Sequence, residues 1–275
     1  MVTDNRPLTT NSKKNSIFAG KIFNAIMKKT LIISILVLTM GICGTAMAQH
    51  QSHRITLDST YNLRDTTCQL KRYYDSIQKV YNAYFGKYVA EATCNLTNDK
   101  PQGTLDNLLT DALLQIGDSL SLAYDGRHTD LSLLNFGGVR TGLNQGKIFL
   151  SDIYRVLPFE SNVIVLLDIK GSELRKVIFE NLRELANVQA FANVKLVYSN
   201  NAIVSATVDG QPIDDSRTYR IATINFIETG GDKILENAAT THVLSDDASF
   251  RSRITDYIRQ KRTISAQFDD RVTVK

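Results

Sequence analysis

Residues Asn135 to Gly171 read NFGGVRTGLNQGKIFLSDIYRVLPFESNVIVLLDIKG, and the rest of the chain is read outward from them. An apolar run, Leu131 to Leu134, stops abruptly at Asn135-Phe136-Gly137-Gly138-Val139-Arg140. The glycine pair lets the backbone take positive φ and approach a ligand without a Cβ in the way. Arg140 then offers a planar fork of donors suited to phosphate or carboxylate. Downstream, Pro158-Phe159 closes a second loop ahead of the buried-strand pattern Val163 to Ile169. Two strand-end loops, one with an Asn and an Arg and one with an aromatic ring, thus fall close together in sequence.

Working outward, Arg64 to Phe85 places Leu70, Tyr73, Tyr74, Ile77, Tyr81 and Tyr84 at helical spacing. Such an aromatic stripe more often packs a helix onto a domain than stacks bases. Tyr88 to Cys94 reads as a short strand. Thr104 is placed as the cap of a helix whose apolar face is Leu105, Leu108, Leu109, Ala112, Leu113, Ile116 and Leu120. Ser151 or Asp152 caps a short helix, Ile153 to Val156. Gly171-Ser172 opens another, with Leu174, Val177, Ile178, Leu182 and Leu185 apolar. Strands follow at Val194 to Tyr198, Ile203 to Val208 and Tyr219 to Thr223, with an Asp209-Gly210 turn. A last helix spans Ser249 to Lys261. Helices and strands mix without strict alternation, which predicts an α+β, mixed α/β domain of layered helices and sheet.

The formal charge of +4 misleads about partners. Six of the 32 basic residues and one of the 28 acidic ones lie in residues 1–48, leaving 26 and 27. The balance excludes a basic surface for a nucleic acid polymer. Met27-Lys28-Lys29, the apolar core Leu31 to Met40 and Ala46-Met47-Ala48 form the pattern of a secretory signal. Start at Met27 and cleavage after Ala48 are expected, giving a periplasmic or secreted product with no membrane span. The chain then divides into residues 1–48 (extension and signal), 49–85 (polar lead-in and Tyr-rich helix), a main domain at 86–262 and a tail at 263–275. Cys68 and Cys94 remain after cleavage, and a disulfide or two separate thiols are equally open readings.

The central stretch resembles the C-terminal domain of the 5'-nucleotidase family. Members read Asn-Gly-Gly-x-(Ile/Val)-Arg, a short helix, Leu-Pro-Phe and a strand ending in Gly. A further piece, Asn225-Phe226-Ile227-Glu228-Thr229-Gly230-Gly231-Asp232, is similar to the family's Asn-Phe-x-x-x-Gly-Gly-Asp. The resemblance covers roughly Gly86 to Gln260, about half of a typical member. It implies that Phe159 and Phe226 clamp a base, Asp232 holds a ribose, Asn135 contacts the base and Arg140 faces phosphate, with Gly137, Gly138, Gly230 and Gly231 shaping the loops.

Two departures stand out. Lys233-Ile234 follow Asp232 where members often carry Gly and an aromatic. Where members carry an arginine before an Asn-x-Gly-Asn helix start, this chain runs Asp99 to Asn107, with Lys100 as a substitute point charge. Family enzymes hydrolyse phosphate with two metals held in a separate metallophosphatase domain. The four histidines, His50, His53, His128 and His242, fall in none of the ligand settings such a site needs. No metal site or catalytic residue is therefore expected in this chain, and the divalent metals are expected in a partner metallophosphatase subunit. The resemblance implies a nucleotide-binding protein that acts with that partner in nucleotide catabolism and is inactive alone. The alternatives are a non-catalytic nucleoside or nucleotide-binding module, or a decayed interaction protein.

Overall fold

The computed structural model describes Leu63–Lys275, with side chains from Tyr74 onward. The signal segment, His50, His53 and the Cys68 side chain lie outside the described residues. The core is a five-stranded sheet built from β2 (Leu131–Leu134), β4 (Val163–Lys170), β5 (Ala190–Ala192), β9 (Thr218–Ile224) and β10 (Thr240–Ser249), in the order β10-β4-β9-β2-β5. Only β2 and β9 run parallel within it; β4 and β10 are antiparallel to their neighbours. Both faces are covered. Leu166 and Ala222 face α2 (Thr104–Asp125), where a Cβ added to Gly117 would stand 2.4 Å from the Ala222 Cβ. Only glycine permits that close approach of helix to sheet. Val165, Leu167 and Ile221 point the other way by strand alternation and are equally buried. Each such fully buried aliphatic side chain contributes about 1.5–3 kcal/mol relative to exposure.

Two smaller sheets flank this core. In one, β1 (Tyr88–Ala92) pairs with β3 (Gly146–Phe149) and with β11 (Thr263–Ile264). In the other, β6 (Val194–Ser199) lies between β7 (Ala202–Val208) and β12 (Val272–Val274), and β7 turns into β8 (Gln211–Pro212). Residues 263–275, expected as a tail, therefore close two sheets. Asn193 takes the left-handed conformation, φ 61°, and its side chain donates to Asp130 O at 2.6 Å. There the chain leaves the central sheet as β5 and enters the second as β6. The remaining helices are α1 (Leu63–Phe85), α3 (Leu150–Val156), α4 (Gly171–Lys176, widened into a further turn to Asn181), α5 (Asn225–Glu228) and α6 (Phe250–Lys261). Phe85 and Tyr84 of α1 pack edge-on against Tyr154 of α3, with the Tyr84 and Tyr154 hydroxyls 3.0 Å apart. Of the stripe, Tyr84 takes part in this packing, while Tyr74 stays 60% exposed. Among the described residues no helix is long and apolar enough to cross a membrane.

Local capping differs from the sequence expectation. Thr104 is the first residue of α2 rather than its cap, and its hydroxyl accepts from Thr97 N at 2.9 Å. Asp152 reaches back to the Phe149 amide at 2.8 Å. Cys94 is a free thiol, 3.7 Å from Ala266 O. Arg220, 3% exposed, closes the sheet at the far end: it donates to Asp168, Asp125 and Ser121 and so pairs its buried charge.

Asp106, in the first turn of α2, is 1% exposed, and neither carboxylate oxygen has a partner. Burial pushes its pKa up to about 8, above any help from its own backbone. The folded state thus keeps a proton that the unfolded chain releases near pH 4. The associated stability is full below that pH and is lost as pH rises towards 8. Asp106→Asn should flatten the pH dependence of the urea midpoint between pH 4 and 8 and be the more stable protein at pH 8. An unchanged slope would show that this carboxyl is not the titrating group.

Candidate functional site

Three loops reach one end of the central sheet. β2 and β9 are parallel neighbours, so the turn after Leu134 and the helix after Ile224 leave the sheet at the same edge. β4 is antiparallel to β9, with Ile164 opposite Ile224, so the loop that enters β4 arrives at that edge as well. The cleft between them measures ≈ 360 Å³ and is lined by Asn135, Gly137, Gly138, Arg140, Phe159, Ser161, Asn162, Phe226 and Asp232. That volume is within the range of small-molecule sites. All five side chains expected from sequence, from three separated segments, line it together.

Each wall is fixed by hydrogen bonds. Asn135 Nδ2 donates to Asp232 Oδ2 at 2.7 Å and joins the first loop to the third. Its Oδ1 is buried without a partner, under Gly138, where a Cβ would stand 2.7 Å away. Neither Gly137 nor Gly138 uses the positive φ open to glycine. Gly138 is required for its contact with Asn135, whereas a Cβ on Gly137 would meet only ordinary contacts at 3.5–3.6 Å. Asp232 itself adopts φ 52°, a conformation asparagine and aspartate tolerate better than most, after Gly230 at φ 96°. The Arg140 amide is tied to Val156 O at 2.9 Å, and its guanidinium carbon lies 5.1 Å from the Phe159 ring centre.

The aromatic walls are held from behind. Arg251, buried on α6, donates to Leu157 O at 3.0 Å and Pro158 O at 3.1 Å, pairs with Glu160 and lies 3.7 Å over Tyr154. It fixes the loop that carries Phe159. Asn225 staples that loop to α5: its Oδ1 accepts from Val163 N and its Nδ2 donates to Ser161 O, both at 3.1 Å. Glu228 ties α5 to β10 through His242 Nδ1 at 2.6 Å. The Phe226 ring lies against Gly231, where an added Cβ would come within 2.4 Å of it. Phe159 and Phe226 are left 40% and 41% exposed, although most large apolar side chains here are buried. Two open rings on one cleft are surface for a flat ligand.

Sequence reasoning missed Ser161 and Asn162, polar loop residues with no signal beyond their place after Phe159. It quoted Asn225 in a motif without a role, and it did not single out Arg251. Lys100, the expected substitute cation, is not in the cleft. Its Nζ donates to Ala186 O at 2.6 Å and lies 5.7 Å from the Phe136 ring centre. Among the described residues no three His, Cys, Asp or Glu side chains converge as metal ligands.

The family model for the 5'-nucleotidase C-terminal domain matches residues 85–240. UshA from Yersinia enterocolitica is 37% identical over 106 residues, 38% of this chain and 19% of its own length. UshA from Escherichia coli K12 is 29% identical over 154 residues, 54% of this chain and 27% of its own length. The 5'-nucleotidase precursor of Thermus thermophilus has the same fold over 76% of this chain and 42% of its own, with a TM-score of 0.62 at 24% identity. The chain thus spans about a quarter or less of these two curated relatives.

Gly231→Ala tests the third loop. Its Cβ overlaps the Phe226 ring and backbone carbonyl, so the Phe226 ring resonances should shift and the protein should lose about 1–3 kcal/mol of stability to overpacking. Unshifted ring resonances would mean that Phe226 does not rest on this glycine.

Proposed function

The chain belongs to the 5'-nucleotidase C-terminal domain family, and from that premise we propose that it is the substrate-recognition half of a secreted nucleotide-hydrolysing pair. Phe159 and Phe226 grip the base, and Asp232, braced by Asn135, accepts from the ribose. Asn135 and Arg140 stand towards the phosphate end. The metals and the attacking water come from a metallophosphatase partner, whose ions supply Lewis-acid activation and charge stabilisation when bound. The observation that carries this reading is the gathering of five side chains from three segments around one cleft, with two rings left half-open. Export is part of the same proposal. It is supported by Met27-Lys28-Lys29, the apolar run to Met40 and Ala46-Met47-Ala48, and it predicts Gln49 as the mature N-terminus.

A second reading, a binding module without catalysis, is favoured by the cleft's having all its base- and ribose-facing groups within this chain. Both readings require stacking, worth about 1–3 kcal/mol per base. Phe159→Ala and Phe226→Ala should each weaken adenosine binding about 5- to 150-fold in calorimetry. Parental affinity in both variants would remove the base clamp. Purified chain with added Mg²⁺, Mn²⁺ or Zn²⁺ should release no phosphate from AMP. Recovery of a metallophosphatase with the tagged chain from native extract decides for the first reading; a tagged chain that brings down none decides for the second.

A further inference from the structure

Among the residues that line the cleft, Arg140 and Asp232 are the only two that ionise, and their charges cancel. No other cation among the described residues lines the cleft. Lys100 is bonded to Ala186 O and lies 5.7 Å from the Phe136 ring centre. Arg251 is buried and committed to Leu157 O, Pro158 O and Glu160, and Arg155 pairs with Asp152 at 3.2 Å. Lys233 follows Asp232 but does not line the cleft, and its Nζ lies 3.9 Å from Glu236.

The other usual anion site is a helix N-terminus, whose free amides attract phosphate. The 22-residue helix α2 offers one near the turn of Phe136. Its first turn is filled by the chain's own Asp106, buried, with an oxygen 2.1 Å from where a Gly103 Cβ would stand. A second carboxylate, Asp99, stands nearby and adds repulsion. A phosphate placed there would collide with the Asp106 carboxyl, which keeps its proton below about pH 8, and would face the Asp99 carboxylate.

We propose that the cleft recognises a nucleoside and is indifferent to its 5'-phosphate, so that this chain binds the product of phosphomonoester hydrolysis as tightly as the substrate. The inference rests on the base-and-ribose reading above. One solvent-exposed Arg opposite a phosphate, offset by one carboxylate in the same cleft, is worth no more than about fivefold in affinity. Phosphate recognition in the assembled enzyme then belongs to the partner, and released nucleoside competes with incoming nucleotide at this half.

Calorimetry on the full chain with adenosine, AMP and ATP, at about 0.05 and 0.5 M salt, tests this. The expected result is that the three dissociation constants lie within about fivefold of one another, with ratios that salt barely changes. AMP binding 30-fold or more tighter than adenosine, with a preference that collapses in high salt, would overturn the inference while leaving the base clamp intact. Binding of none of the three would overturn the base clamp, and the inference with it.

Discussion

The parallel pairing of β2 with β9, flanked by the antiparallel β4, is the constraint on which the site depends. Because Leu131 pairs with Ile221 and Ile164 with Ile224, Asn135, Asn225 and the entry to β4 at Val163 meet at one edge of the sheet. A one-residue slip of a buried strand would turn its apolar side chains outward, so the core itself enforces this register. The backbone hydrogen bonds of the sheet therefore fix the loop roots before any ligand is present. Asn225 completes the arrangement by bonding both the β4 amide and the loop that carries Phe159.

Behind that edge the chain separates rigidity from recognition. Arg251 and Arg220 are almost fully buried, and each satisfies its guanidinium with carbonyls or carboxylates. Burying such charges costs stability unless every donor is met, and removing one partner costs far more than the pair contributes. One holds the Phe159 loop and the other the opposite end of the sheet. The cleft side chains are by contrast short or exposed: two rings, two amides, a serine, one cation and one carboxylate. The cleft's geometry is thus set partly from behind, by Arg251 and Asn225, and partly by the Asn135–Asp232 bond within it.

Much of this was legible in the sequence. Leu131 to Leu134 and Val163 to Ile169 announced buried strands because both faces are covered, which leaves no alternation to confuse with a helix. The five cleft residues were named by the resemblance of three spaced motifs to the 5'-nucleotidase C-terminal domain; taken singly, each residue has an ordinary structural role as well. What failed was local and polar. β10, with the sequence TTHVLSDDAS, went unread because an edge strand with two register shifts carries little apolar periodicity. β3, β11 and β12 are two to four residues long and owe their form to tertiary pairing. Lys100 was misjudged because sequence position gave no hint that the Phe136 ring would stand beside it. Thr104 and Gly138 carried the expected residue types but serve neighbours at Thr97 and Asn135 rather than a cap or a positive φ.

Sheet topology, with Arg251 and Asn225 bracing the loops, brings two distant phenylalanines to one cleft. Intermolecular NOEs between the adenine H2 and H8 protons and selectively labelled phenylalanine rings measure that directly in solution. The account predicts contacts from the bound base to both Phe159 and Phe226. Contacts to one ring only, or to rings outside the cleft, would contradict it.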